Sequence, residues 1–184
     1  MNDCPDWLAL DDAALLAQCD IHIYKSSGPG GQHRNKVSSA VRVKHRPTGV
    51  TAHGDDSRSQ HENKALAIKR LRMNFALQIR RPVDLQTLSP DSLPPVVAEC
   101  VFAPRGGTVG NASRRLTIGR KDHRFWQIAQ FLLDLLEVCE GRVADAAGRM
   151  DINTSNFISV LKDDRHLFGA AQQIRKAHDQ GPLK

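Results

Sequence analysis

Two rhythms of apolar residues run along this chain, one of period two near its start and one of helical period after residue 59. The alternation in "IHIYK", residues 21–25, predicts a strand, and that in "SAVRVKHRPTGVTAH", residues 39–53, predicts a hairpin. Val41, Val43 and His45 should face one way and Arg42, Lys44 and Arg46 the other, with Pro47 and Gly49 in the favoured places of a type I turn. Before them, Asp11 to Gln18 reads as a short helix with an acidic cap. Ser59 followed by Glu62 forms a capping box, from which a helix should run to about Ile79. Ile68, Leu71, Phe75 and Ile79 recur at helical spacing along it, with Lys69, Arg70 and Arg80 on the other side.

The pattern then breaks. "RRPVDLQTLSPDSLPP", residues 80–95, carries four prolines and reads as a linker. "VVAECVF" after it predicts a strand, while Pro104 to Gly119 has no readable period. Arg124 to Val138 is apolar nearly all round, which predicts a buried helix. In residues 141–161, Ala147, Met150, Ile152, Phe157 and Val160 sit where a helix-turn-helix places its packing residues. Asp151 takes the turn position usually given to glycine, and Thr154 or Ser155 would cap the second helix, "TSNFISVLK". Two helices of an ordinary bundle fit the same spacing, and both readings stay open. The fold class is therefore α+β. Residues 1–80 should form a small domain of hairpin-containing sheet packed with a helix, 81–95 a proline-rich linker, and 96–184 a mainly helical C-terminal domain.

Composition narrows the function. Of 184 residues, 40% are apolar and a quarter charged, as in soluble globular proteins. No apolar run is long enough for a membrane span, and "MNDCPDW" lacks both a basic leader and an apolar signal segment, so a cytoplasmic location is expected. Cys4, Cys19, Cys100 and Cys139 are far apart, which fits reduced structural thiols. Charge is unevenly spread. Residues 20–81 hold thirteen Lys or Arg against four Asp or Glu, while the rest holds thirteen against sixteen. A localised polyanion-binding face follows from that asymmetry.

The basic half also contains "SSGPGGQHRNK", residues 26–36. Neither phosphate-loop pattern fits, because His33 stands where GxxxxGK[ST] and GxGxxG both need glycine, and "RGGTVGNAS", residues 105–113, fits neither. Nucleotide binding is thereby disfavoured. Eight histidines offer no metal-ligand spacing: His53 and His61 lack a Cys or paired acid beside them. No metal and no cofactor are expected. Glycines instead let the main chain approach a ligand closely, and a backbone N–H held in a tight turn can face a developing oxyanion. Gln32 is uncharged and cannot serve as a base at neutral pH, but it can orient a water. A bare GPGG also suits an ordinary surface loop.

The wider context decides between these. Gly30-Gly31-Gln32, His33, Asn35-Lys36, the "SAVR" strand, "PTG" and "RSQHENK" stand in an order and spacing that resembles the catalytic domain of class I peptide chain release factors, over roughly residues 20–80. The resemblance implies hydrolysis of the ester between nascent peptide and tRNA in the ribosomal peptidyl transferase centre. It implies Gly30, Gly31 and Gln32 as catalytic residues, with the Gln32 backbone N–H stabilising the transition state and its side chain admitting water. The partners it implies are the large ribosomal subunit with its rRNA and the P-site peptidyl-tRNA. A methyltransferase that N5-methylates the family's glutamine becomes a candidate partner acting on Gln32. His33, Arg34, Lys36, Arg42, Lys44, Arg58 and Lys64 are the expected RNA contacts. Arg34 departs from the small apolar residue more usual after "GGQH".

Release factors of full length are considerably longer and carry a codon-reading domain before this one, whereas about twenty residues precede the module here. The expectation is a codon-independent rescue factor, related to the ArfB-type and mitochondrial rescue factors. Residues 163–184 hold four bases and three acids, unlike the strongly basic tail of ArfB types. Two rivals remain in view: a ribosome-binding factor that kept the fold and lost catalysis, and a helix-turn-helix regulator that binds nucleic acid.

Overall fold

The computed structural model describes residues 6–25, 38–103 and 114–183. They form an α+β chain that divides into two compact units, Met1–Gln78 and Ile79–Lys184.

In the first unit, the Asp11 carboxylate accepts the Ala14 N–H and starts α1 (Asp12–Leu16). Three antiparallel strands follow in the order β1 (Cys19–Tyr24), β2 (Ala40–His45), β3 (Thr51–Gly54). β1 starts two residues before the alternation in the sequence announces it. The hairpin turn holds Gly49 at φ +72°, and the Gly49 N–H donates to the His45 carbonyl at 2.8 Å. The turn therefore closes one residue wider than the four-residue type I form, and only glycine takes that angle without strain. Val41, Val43 and His45 are buried as their alternation predicts, while Arg42 and Lys44 are exposed.

The helix α2 (Gln60–Gln78) covers this buried face, contributing Ala67, Ile68, Leu71, Phe75 and Ala76. Each large side chain so buried contributes about 1.5–3 kcal/mol. Contact is closest at Gly54, where a β-carbon would lie 2.0 Å from the Asn63 carbonyl oxygen, so glycine is what lets the helix backbone touch the strand. The capping box forms in altered guise. The Ser59 hydroxyl takes the Glu62 N–H at 3.4 Å, but Glu62 receives the Ser57 hydroxyl, and Ser57 Oγ accepts the Ser59 N–H at 3.0 Å. Trp7, His45 and Phe75 stack together, with centroids 4.9 to 5.9 Å apart. Arg72 ties the segment before β1 to α2 through the Leu8 and Leu10 carbonyls and the Asp12 carboxylate.

The second unit begins where the proline-rich stretch does, and that stretch is packed into it. Gln130 donates to the Ile79 carbonyl at 3.1 Å, Leu93 is buried, and Arg149 and Arg114 donate to the carbonyls of Leu85 and Pro90. The strand expected over "VVAECVF" is half helix. Pro95 stands in the first turn of α3 (Pro95–Ala98), where its fixed φ and missing N–H favour helix, and only Val101–Phe102 is strand (β4), paired with β5 (Arg115–Leu116). The apolar helix α4 (Phe125–Val138) is buried as expected, and α5 (Val143–Arg149), α6 (Thr154–Lys162) and α7 (Arg165–Ala177) complete the unit. The cap of α6 is Asn153, whose side chain accepts the Asn156 N–H at 2.7 Å, rather than Thr154 or Ser155. Cys19, Cys100 and Cys139 are buried free thiols, and no helix among the described residues is long and apolar enough to cross a membrane.

Candidate functional site

Pleating divides the sheet of the first unit into an inner face under α2 and an outer polar face. Register places His22, Arg42 and His53 in one cross-strand row on the outer face and Asp20, Lys44 and Thr51 in the next. The Tyr24 hydroxyl meets His53 Nδ1 at 3.0 Å and their rings lie edge to face, which fixes one end of that surface.

Arg42 and Lys44 stand on this face and Arg58 on the loop before α2, all three exposed; Lys64 is half-buried on the first turns of α2. None of the four is in an ion pair among the described residues. Their basic neighbours differ. Arg46 holds the Cys19 and Ala17 carbonyls and Asp20, and Arg70 holds Asp55, Asp56 and the His53 carbonyl. Arg46 and Arg70 thus serve the fold, although their place in the pattern marks them as outward cations like Arg42 and Lys44.

Gly30, Gly31, Gln32, His33, Arg34 and Lys36 lie outside the described residues. Their place in the topology is set by their neighbours: Tyr24 pairs with Ala40, so the connection of residues 25–39 leaves β1 and enters β2 at the same end of the sheet.

The return of that connection is held by Asn63, a residue that no sequence pattern singles out. Its side chain is fully buried. Its Nδ2 donates to the carbonyls of Ser39 and Ser57, both at 2.7 Å, and its Oδ1 accepts the Ser57 N–H at 2.9 Å. One amide therefore joins α2, the loop before α2 and the last residue before β2. Its place inside "RSQHENK" was the available signal, since a polar residue one turn into a helix is otherwise unremarked.

Behind the same sheet, burial pushes the His45 imidazole below its usual pKa, with the Arg46 charge adding to the effect. The neutral ring is held by Thr48 Oγ1 at 2.8 Å and Gln18 Oε1 at 3.3 Å, which makes His45 a structural residue. No three His, Cys, Asp or Glu among the described residues come together as a metal would require.

Residues 15–84 match the RF-1 domain. Over 67 residues the chain is 51% identical to peptide chain release factor 1 of Albidiferax ferrireducens, covering 34% of this chain and 18% of that protein. It is 52% identical over 61 residues to peptide chain release factor 1 of Rickettsia canadensis, covering 33% and 17% of the two chains. Peptide chain release factor 2 of Buchnera aphidicola subsp. Baizongia pistaciae is 48% identical over 74 residues, 38% of this chain and 20% of its own. The chain thus spans about a fifth of the length of these relatives, and the similarity falls on the first unit and the few residues after it.

Proposed function

We propose that this protein releases nascent peptide on the ribosome by hydrolysing the peptidyl-tRNA ester, and that it does so without reading a codon. The observation that carries the reading is the RF-1 match over residues 15–84, with Gly30-Gly31-Gln32 whole inside it. The catalytic part is residues 1–80. Arg42, Lys44, Arg58 and Lys64 supply attraction for rRNA and the tRNA end, because each cation free of an internal acid is available to a phosphate. His33, Arg34 and Lys36 add to that attraction from the connection itself. Chemistry falls to the connection between β1 and β2. A backbone N–H at Gln32 stabilises the oxyanion that forms as water attacks the ester, and the Gln32 side chain admits water in preference to larger nucleophiles. N5-methylation of Gln32 by a glutamine methyltransferase is part of this reading, and intact-mass measurement of the purified protein tests it.

Beyond the match, the described residues of 85–183 build a mainly helical unit, and in this reading 96–184 is the part that chooses the substrate ribosome. The experiment is single-turnover release from ribosomes halted at a stop codon, at a sense codon and with no codon, and from isolated large subunits carrying peptidyl-tRNA. Similar rates on all of them are expected. A strong preference for stop codons would remove the codon-independent form and leave the release chemistry standing. Ribosome binding with no release anywhere would make the protein a non-catalytic binding factor.

A further inference from the structure

Helices α5 and α6 are joined by four residues, and the second of these, Asp151, has φ +53°. A left-handed residue there reverses the chain sharply, and Asp tolerates the angle better than most side chains. The Ile152 N–H then donates back to the Ala147 carbonyl at 3.1 Å, closing the turn. Every position that a helix-turn-helix must bury is buried: Ala146, Ala147, Met150, Ile152, Phe157 and Val160 are each 5% exposed or less. α5 packs on both α4 and α6, so the pair stands on a wall of its own unit.

What α6 turns outward is the informative part. Thr154, Ser155, Ser159 and Lys162 are exposed, and Ile158 is half-buried. On the other side of the helix the buried Asn156 side chain grips the Leu116 N–H and carbonyl of β5 at 2.8 and 2.9 Å, so the hydroxyl face is the one left over. A helix that docks into a protein groove presents apolar anchors at i, i+3, i+4 and i+7; this face presents short hydrogen-bonding groups instead. Its C-terminal end is basic. Arg120, Lys121, Lys162 and Arg165 are all exposed. Arg120 reaches the buried Asp164 carboxylate at 2.8 Å, which brings it to the start of α7, and the Lys162 ammonium lies 5.9 Å over the Phe168 ring. The acids next to these cations in the sequence are Asp163, the buried Asp164 and Asp122, which is paired with Arg124.

We propose that α5 and α6 form a helix-turn-helix that binds duplex DNA, with Thr154, Ser155 and Ser159 entering the major groove and Lys121, Lys162 and Arg165 on the flanking phosphates. Hydroxyls can donate to or accept from base edges, and the cations answer the backbone charge. The major groove of B-form DNA, about 12 Å wide, admits a helix, whereas that of regular A-form RNA is too narrow. Duplex DNA is therefore the occupant that fits, and binding to an RNA stem is an outcome that the test separates. This site stands apart from the peptide-release reading and does not depend on it.

The test uses the full chain and measures anisotropy of labelled duplex DNA, an RNA hairpin with an internal bulge, and single-stranded RNA across a salt series. Ser155→Glu with Ser159→Glu should weaken binding to the DNA duplex by roughly ten- to a hundredfold while single-strand binding, expected from the first unit, holds. Lys162→Gln should lower the salt slope for that duplex by about one. Asp151→Gly, which eases the turn, should bind as the parent does. Weakening confined to the RNA hairpin would overturn the assignment to DNA. The proposal is also overturned if the parent does not bind the DNA duplex, or if the double glutamate and Lys162→Gln proteins, with unchanged helix content, bind it as the parent does.

Discussion

The two units use the same device for different ends. In the first, Asn63 on α2 is buried and grips the backbone at Ser39 and Ser57; in the second, Asn156 on α6 is buried and grips the backbone at Leu116. Each amide satisfies main-chain groups that a helix packed on loop or strand would otherwise leave unpaired. Charge divides each unit within itself. In the first, Arg42, Lys44, Arg58 and Lys64 form no ion pair among the described residues, while Arg46, Arg70 and Arg72 meet carboxylates. In the second, Arg80, Arg114, Arg120, Arg124 and Arg142 meet carboxylates, while Lys121, Lys162 and Arg165 beside α6 form no ion pair among the described residues. The lesson is that a count of cations says less about polyanion binding than their pairing does.

The sharpest break between the units should come from the chemistry, if the first unit alone carries it. Gly31→Ala narrows the backbone angles that aim the next N–H, and Gln32→Pro removes that N–H altogether. Loss of one oxyanion donor costs roughly 10²–10³ in rate, so both should fall by that much in single-turnover release at saturating protein. Gln32→Ala keeps the N–H and should lose less, while letting hydroxylamine compete with water. Equal and complete loss in Gln32→Ala and Gln32→Pro would shift the catalytic weight to the side chain. Full activity in Gly31→Ala would end the enzymatic reading of the connection.

A smaller effect separates the two asparagines. Asp in place of Asn can still accept an N–H but cannot donate to a carbonyl, and each buried group left unpaired costs about 1–3 kcal/mol. Asn63→Asp strands two carbonyls and Asn156→Asp one, so the first should destabilise its unit more. Hydrogen exchange on the intact chain reads each unit separately: Asn63→Asp should speed exchange in β2 and α2, and Asn156→Asp in β5 and α6. If the connection between β1 and β2 carries the proposed chemistry, Asn63→Asp should also slow peptide release, because it frees Ser39, the residue before β2. Uniform loss of protection across both units would show that they do not unfold separately.

Much of this was legible beforehand, for identifiable reasons. Alternation exposed β2 because one of its faces is covered, and the apolar run exposed α4 because it is buried nearly all round. The buried positions of residues 141–161 were readable because they recur at helical spacing on either side of Asp151, whose φ of +53° turns the chain. Three features escaped. The helical turn at Pro95 was hidden because two prolines and two valines suit an extended chain as readily as a first helical turn. Packing of the proline-rich stretch depends on distant donors, Arg114 and Arg149, that no local pattern announces. The pairing of Arg46 and Arg70 was invisible for the same reason, since an outward position says nothing about a nearby acid. Of the candidate site, the proposed tripeptide Gly30-Gly31-Gln32 came from family resemblance, while the Asn63 clamp needed the structure.

The finest distinction between the units is the sign of their response to acid. His45 is buried and neutral, with a pKa held below the usual imidazole value of about 6.5. As pH falls below about 6.5 the unfolded chain takes up a proton that the folded first unit refuses, so stability is full above that pH and declines through the window beneath it. Asp134 behaves oppositely. Burial raises its carboxyl to about 6 despite Arg80 at 3.1 Å and the Arg81 N–H at 3.1 Å. Between about 6 and the ordinary carboxyl value near 3.9, the folded second unit holds a proton that the unfolded chain has lost, so its stability rises as pH falls. Each site is limited to one proton, at most about 1.4 kcal/mol per pH unit. Between pH 7 and 5, hydrogen exchange should therefore show α2 losing protection that His45→Gln does not lose further, and α4 gaining protection that Asp134→Asn no longer gains. Both variants shift the baseline, so the slope with pH is the quantity to compare. Parallel slopes in the two units, unaltered by either substitution, would mean that other titrating groups set the response and that these two buried residues do not.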